Sequence, residues 1–164
     1  MIDSSTAPMK PTKQGPRIVE CCVETTATPA DVFLFMVPQR MPYWYGAEMR
    51  SEFEVTGGCA EFSVAQKVRI TGKMVKKAVA HTAVVTRFEW PRVFEWRFED
   101  AYGVRGTERW EVEPTTAGAR VTMRSEYAMP GRMARAVDWL VTRHAVARRN
   151  GEYLKRLKKY AERR

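Results

Sequence analysis

The stretch VVTRFEWPRVFEWRFEDAYGVRGTERWEVEP, residues 84–114, decides the fold. Within it Phe94, Trp96 and Phe98 alternate with Glu95 and Arg97, and Trp110 and Val112 alternate with Arg109, Glu111 and Glu113. A period of two places the rings on one face of a strand and the charges on the other. Trp90-Pro91 and the run Asp100 to Gly103 punctuate the stretch. Breaks this short leave no room for crossover helices, so neighbouring strands must run antiparallel.

The same texture extends outward. Strands are predicted over Glu48 to Val55, Ala60 to Ile70, Lys76 to Phe88, Val93 to Glu99, Val104 to Glu113 and Arg120 to Met129. Gly57-Gly58, Thr71-Gly72-Lys73 and Pro114 to Gly118 supply the remaining breaks. Upstream, Arg17 to Ala27 is rich in Val, Ile, Cys and Thr and reads as a further strand. Thr28-Pro29-Ala30-Asp31 then forms a helix start: Thr28 as the cap, Pro29 at the first helical position, Asp31 at the positive end of the dipole. That helix, with Val32, Phe33, Phe35 and Met36, is expected to stop near Pro38. A second short helical piece carries Met41, Tyr43, Trp44 and Tyr45 and ends at Gly46.

After Pro130-Gly131 about thirty residues read as helix, with Met133, Val137, Leu140, His144, Ala147, Gly151, Leu154 and Leu157 as one apolar stripe. Arg135, Asp138, Arg149, Glu152, Arg156 and Lys159 are assigned to the opposite, wet side. The order is β-α-α-β-β-β-β-β-β-α, an α+β class with a curved seven-stranded antiparallel sheet. Its apolar face must be covered, and only the C-terminal helix is long enough to cover it. A curved sheet closed by one helix leaves a space that side chains or a ligand must fill.

Composition narrows the functional classes. At 164 residues, with 45% hydrophobic and 29% charged residues, the chain suits one domain with a real core. Residues 1–16 read as a flexible leader without a secretory signal, and 17–164 as a single domain. No apolar run approaches the roughly 20 residues of a membrane-spanning helix. Cys21, Cys22 and Cys59 are odd in number, and neither they nor His81 and His144 have metal-ligand spacing. No disulfide framework, metal or cofactor is expected, and the thiols point to a cytoplasmic setting. Of the net charge of +9, +8 lies in residues 131–164, so the basicity belongs to one element. Arg148 to Arg164 suits weak contact with an anionic surface, yet no RNA-recognition motif accompanies it and no specific nucleic acid is expected.

Several segments carry a family likeness. TTATPADVFLFM (25–36) resembles a strand, an Ala-Pro turn and a first helix. MPYWYGAEM (41–49) resembles a second helix bearing Trp. VVTRFEWPRVFEWRF (84–98) resembles a strand-Pro-strand hairpin, VEPTTAGARVTM (112–123) the turn joining the last two strands, and YLKRLKKYAE (153–162) the end of a closing helix. In this order, over about residues 17 to 162, they resemble the START-like, helix-grip SRPBCC superfamily. That group includes polyketide cyclase/dehydrases, lipid-transfer domains, pollen-allergen-like carriers and coenzyme Q-binding proteins. The resemblance implies a helix-grip fold with a cavity between sheet and helix that takes a lipid, isoprenoid or polyketide. It implies either a carrier or a cyclase/dehydrase-type enzyme, and its ribosome-associated toxin relatives add a protein-interaction role for the basic helix.

The candidate cavity residues follow from facing. Phe94, Trp96, Phe98 and Trp110 share the apolar strand face, and Trp44 lies in the second helical piece. Met123, Ser125 and Tyr127 share a face whose hydroxyls suit ligand orientation. Val137, Leu140 and His144 lie on the helix stripe, where the His144 ring would bond a ligand carbonyl, move a proton, or join a sheet side chain in the core. Glu108 has the parity of Trp110 and Val112. It faces inward with a raised pKa unless a bulge at Gly106 turns it out. The facing of His81 stays open, and no Ser-His-Asp set, phosphate loop or metal spacing stands out.

Overall fold

The structure, a computed structural model, is described over residues 16–57, 60–74, 76–132, 136 and 141–163. Seven strands form one curved antiparallel sheet: β1 (Arg17–Thr25), β2 (Glu52–Val55), β3 (Lys67–Met74), β4 (Lys77–Glu89), β5 (Val93–Glu99), β6 (Arg105–Pro114) and β7 (Ala119–Ala128). Their spatial order is β1-β7-β6-β5-β4-β3-β2, so the only non-sequential neighbours are the first strand and the last. A short helix, α1 (Pro29–Phe33), follows β1, and a long one, α2 (Arg143–Ala161), closes the described chain. The leader expected over 1–16 lies outside the described residues except for Pro16, as do Cys59, Met133, Arg135, Val137, Asp138 and Leu140.

Register fixes the facing of every strand. Val85 pairs with Trp96, Trp96 with Glu108, and Glu108 with Ser125, so these four cross the sheet on one face. Phe94, Trp110 and Met123 form a parallel row one step along. Across β4, Val85 and Phe88 both face inward despite odd spacing, because the register shifts between Val85 and Arg87. The Thr86 hydroxyl there turns outward and donates to Glu95 at 2.7 Å.

Four boundaries depart from the sequence expectation. The first helix ends at Phe33, and residues 35 and 36 continue in tighter turns, with Phe35 N donating to Val32 O and Met36 N to Phe33 O. Pro38 has no N–H to give the Leu34 carbonyl, which accepts from Arg40 Nη1 at 3.5 Å, so the α-helical ladder does not run on through this segment. Met41–Tyr43 and Ala47–Met49 are two 3-10 turns, so the second helical piece is not an α-helix and Glu48 is not in a strand. Residues 60–66 are not strand, which starts at Lys67. Thr71-Gly72-Lys73 is not a break but runs inside β3: a side chain at Gly72 would lie 2.9 Å from Met49 Cβ. The glycine is there for close approach, not for a turn.

The helix α2 rests chiefly on β1. Its C-terminal end is tied down by Glu162, whose Oε1 accepts from Thr25 Oγ1 (2.9 Å) and from the Thr26 N–H (3.0 Å). Asn150, Tyr153, Leu154, Leu157 and Ala161 form its buried face. No described helix is long and apolar enough to cross a membrane.

Candidate functional site

The core at the β5–β6 level is aromatic. Phe94, Trp96 and Trp110 pack against one another with ring centroids 5.2–5.3 Å apart, and Trp44 meets Trp110 edge-on at 6.0 Å. The Trp44 indole N–H is satisfied by Phe35 O at 2.8 Å. These four rings and Met123 are fully buried, so they are core as much as wall.

Into this apolar layer the register thrusts a carboxylate. Glu108 is 1% exposed, and no bulge at Gly106 turns it away. Its Oε2 accepts from the Tyr45 hydroxyl (2.7 Å) and from Trp96 Nε1 (3.0 Å). Its Oε1 accepts from Arg149 Nη2 at 3.1 Å. A buried carboxylate is tolerated only when paired and hydrogen-bonded, and here it is both.

Arg149 corrects the sequence reading, which placed it and Arg156 on the wet side of the helix. Arg149, Tyr153 and Arg156 run i, i+4, i+7 along one flank, on the side of the turn Ala47–Met49. Tyr153 donates to Glu48 Oε1 at 3.0 Å, and Arg156 pairs with Glu48 Oε2 at 2.8 Å. Arg149 also bonds Asn150 Oδ1, through Nη2 at 3.2 Å and Nε at 3.3 Å. Asn150 in turn donates to Ser125 Oγ at 2.8 Å. One polar network thus links the turn, the sheet and the helix.

Electrostatics follow the geometry. Burial, then the Glu108 charge, pushes the Tyr45 hydroxyl well above the usual phenol range. Burial likewise raises the Tyr153 hydroxyl against the opposing pull of Arg149. Burial works against the Arg149 charge, but Glu108 and its neighbours outweigh it and hold the guanidinium firmly protonated. His81 faces inward in register with Ile70, and burial lowers its pKa against the pull of Asp100 and Glu108.

His144, placed on the inner stripe by its spacing, is exposed. At 100° per residue it lies roughly 120° from the centre of the buried face, and a π turn at Val141 and Thr142 precedes it. Val137 and Leu140 lie outside the described residues. Ser125 and Tyr127 are buried on the inner face, with Ser125 already engaged by Asn150. Phe98 faces inward but only half-buried. Sequence reasoning missed Tyr45, Glu48, Arg149, Asn150 and Tyr153. The one available signal was Asn150, polar yet three and four residues from Tyr153 and Leu154.

The outer face has a groove too, bordered by Glu20, Glu95, Arg109 and Arg124. Its charges pair with one another across strands, as Arg109 does with Glu95 and Arg124 with Glu20, so it is a solvated ion-pair ladder.

A seven-stranded sheet gripped by a C-terminal helix, with a charged network set into an aromatic interior, defines the helix-grip α+β class. The chain belongs to the family described as "Polyketide cyclase / dehydrase and lipid transport", whose profile matches residues 18–162. Protein CV1439 from Chromobacterium violaceum is 14% identical with a TM-score of 0.69, covering 91% of this chain and 100% of its own. A Rhodobacter sphaeroides protein is 19% identical at a TM-score of 0.65, covering 87% and 90%. Ara h 8.0201 is 11% identical at 0.68, covering 90% and 98%. At these identities the likeness concerns the fold. No curated protein matches the chain.

Proposed function

We propose that the protein binds and carries a hydrophobic small molecule, a lipid, isoprenoid or polyketide, in a chamber between the sheet and the closing helix. One observation supports this most. Tyr45, Phe53, His81 and Phe98 are set toward the inside yet stay only half-buried, while Val68, Ile70, Ala83 and Val85 around them are sealed. Arg149 has the same double character, packed round by protein yet with 40% of its side chain accessible. Half-burial of inward groups is what a hollow between sheet and helix would leave, and it supports the reading. Apolar ligand surface buried there contributes about 2.5 kcal/mol per 100 Å².

Carriage is favoured over cyclase/dehydrase chemistry by the state of the polar groups. Tyr45 and Tyr153 keep their protons far above neutral pH, and both Glu108 oxygens are occupied by donors. His81 is the one inward group among the described residues suited to proton exchange near neutrality, which is the foothold of the enzymatic reading.

Native mass spectrometry of the purified protein, followed by extraction, is expected to find an apolar small molecule. If the preparation is empty, a lipid, isoprenoid quinone or aromatic polyketide at 100 times its Kd adds about 2.7 kcal/mol of stability, or roughly 5–10 °C in Tm. An empty preparation whose melting point no apolar compound raises would end the carrier reading.

A further inference from the structure

The donor and acceptor balance around Arg149 narrows the ligand. Glu108 has both oxygens engaged, and the hydroxyls of Tyr45 and Tyr153 and the Trp96 N–H are already donated within the protein. Arg149 spends Nε and Nη2 on Asn150 and Glu108, while its Nη1 donates to no described residue. A site with a spare cationic donor, beside a carboxylate that already faces three donors, matches a ligand that brings an acceptor oxygen. Charge decides which kind. Glu108 already balances Arg149, and Glu48 balances Arg156. A ligand carboxylate would bring a charge that neither ion pair leaves a cation to offset, whereas a carbonyl oxygen would not. The adjoining surface, Phe53 and Phe98, suits an apolar ligand body.

Building on the carrier reading, we propose that the ligand is a neutral molecule with a carbonyl oxygen on an apolar body, and that Arg149 Nη1 holds that oxygen. Glu108 is the positioning residue: it fixes the guanidinium so that Nη1 is presented to the hollow.

Three compounds of nearly one shape test this by calorimetric titration: 2-acetonaphthone, 2-ethylnaphthalene and 2-naphthoate at pH 7.5. The ketone is expected to bind about tenfold tighter than the hydrocarbon, as one hydrogen bond to a charged donor contributes, with the carboxylate weakest. In a Glu108→Gln, Arg149→Gln double variant that retains a cooperative melt, hydrocarbon affinity should stay within about twofold and the ketone advantage should vanish. Arg149→Lys keeps the charge beside Glu108 and gives up the second nitrogen. It is expected to lose the same advantage, so the test stands even if the double variant does not fold. Equal binding of ketone and hydrocarbon, preference for naphthoate, or an advantage that survives both variants would overturn the assignment and leave the carrier reading intact. Failure of all three compounds to bind would overturn the assignment, while the carrier reading stands or falls on the mass spectrometry and melting tests.

Discussion

At the scale of single residues, Glu108 is where burial and charge meet. A carboxylate 1% exposed holds three donors from three parts of the chain, Tyr45, Trp96 and Arg149. Glu108→Leu would leave all three without their acceptor. Breaking a buried pair from one side typically costs about 3–5 kcal/mol, reduced here because Arg149 keeps contact with water. The expected loss is about 2–3 kcal/mol in urea denaturation, and a Glu108→Leu, Arg149→Leu pair should lose less than the two single changes summed. An unchanged denaturation midpoint in Glu108→Leu would show that the network is not formed. The inward position of Glu108 was legible from its parity with Trp110. Its partners were not, because Tyr45 and Arg149 lie 63 and 41 residues away in sequence and nothing local couples them.

At the scale of elements, two glycines make opposite demands. A Cβ on Gly106 would stand 2.2 Å from Glu126 O and 2.9 Å from Tyr127 Cα, backbone atoms that cannot swing aside. Gly106→Ala is therefore expected to force β6 and β7 apart, at about 2–3 kcal/mol. Gly151 sits inside α2 with nothing within 4 Å of its would-be Cβ, so Gly151→Ala should add about 0.5–1 kcal/mol by helix propensity. Thermal melts that moved the same way for both would contradict this packing. The helix also shows where periodicity falls short. The apolar stripe tracked Leu154 and Leu157, which are buried, but drifted across His144 and Gly151, because a stripe built from apolar residues passes over Asn150. Asn150 is central to the buried face since Ser125 receives its amide. Hydrophobicity alone does not register a polar residue whose partner waits on another element.

At the scale of the whole molecule, the pH profile of stability carries the signature of His81. Burial lowers its folded pKa below the 6.5 of an unfolded chain. Below pH 6.5 the unfolded chain takes up a proton that the folded one refuses, so stability falls as pH drops through the interval beneath 6.5 and the loss is complete below the folded pKa. His81→Gln should flatten that part of the stability–pH curve while leaving the region above pH 7.5 unaltered. A parallel curve for the variant would show that His81 is free to protonate in the fold.

The strand alternation of 84–114, the helix start at Thr28 and the basic closing helix settled the class of fold, because facing and periodicity are local properties that each segment expresses by itself. Tertiary structure alone decided which charges go inside. Glu108 and Arg149 are each unfavourable in an apolar interior, and only the antiparallel register together with the seating of α2 beside Ala47–Met49 brings them within 3.1 Å. That distance depends on elements far apart in the chain, so no short window of sequence contains it.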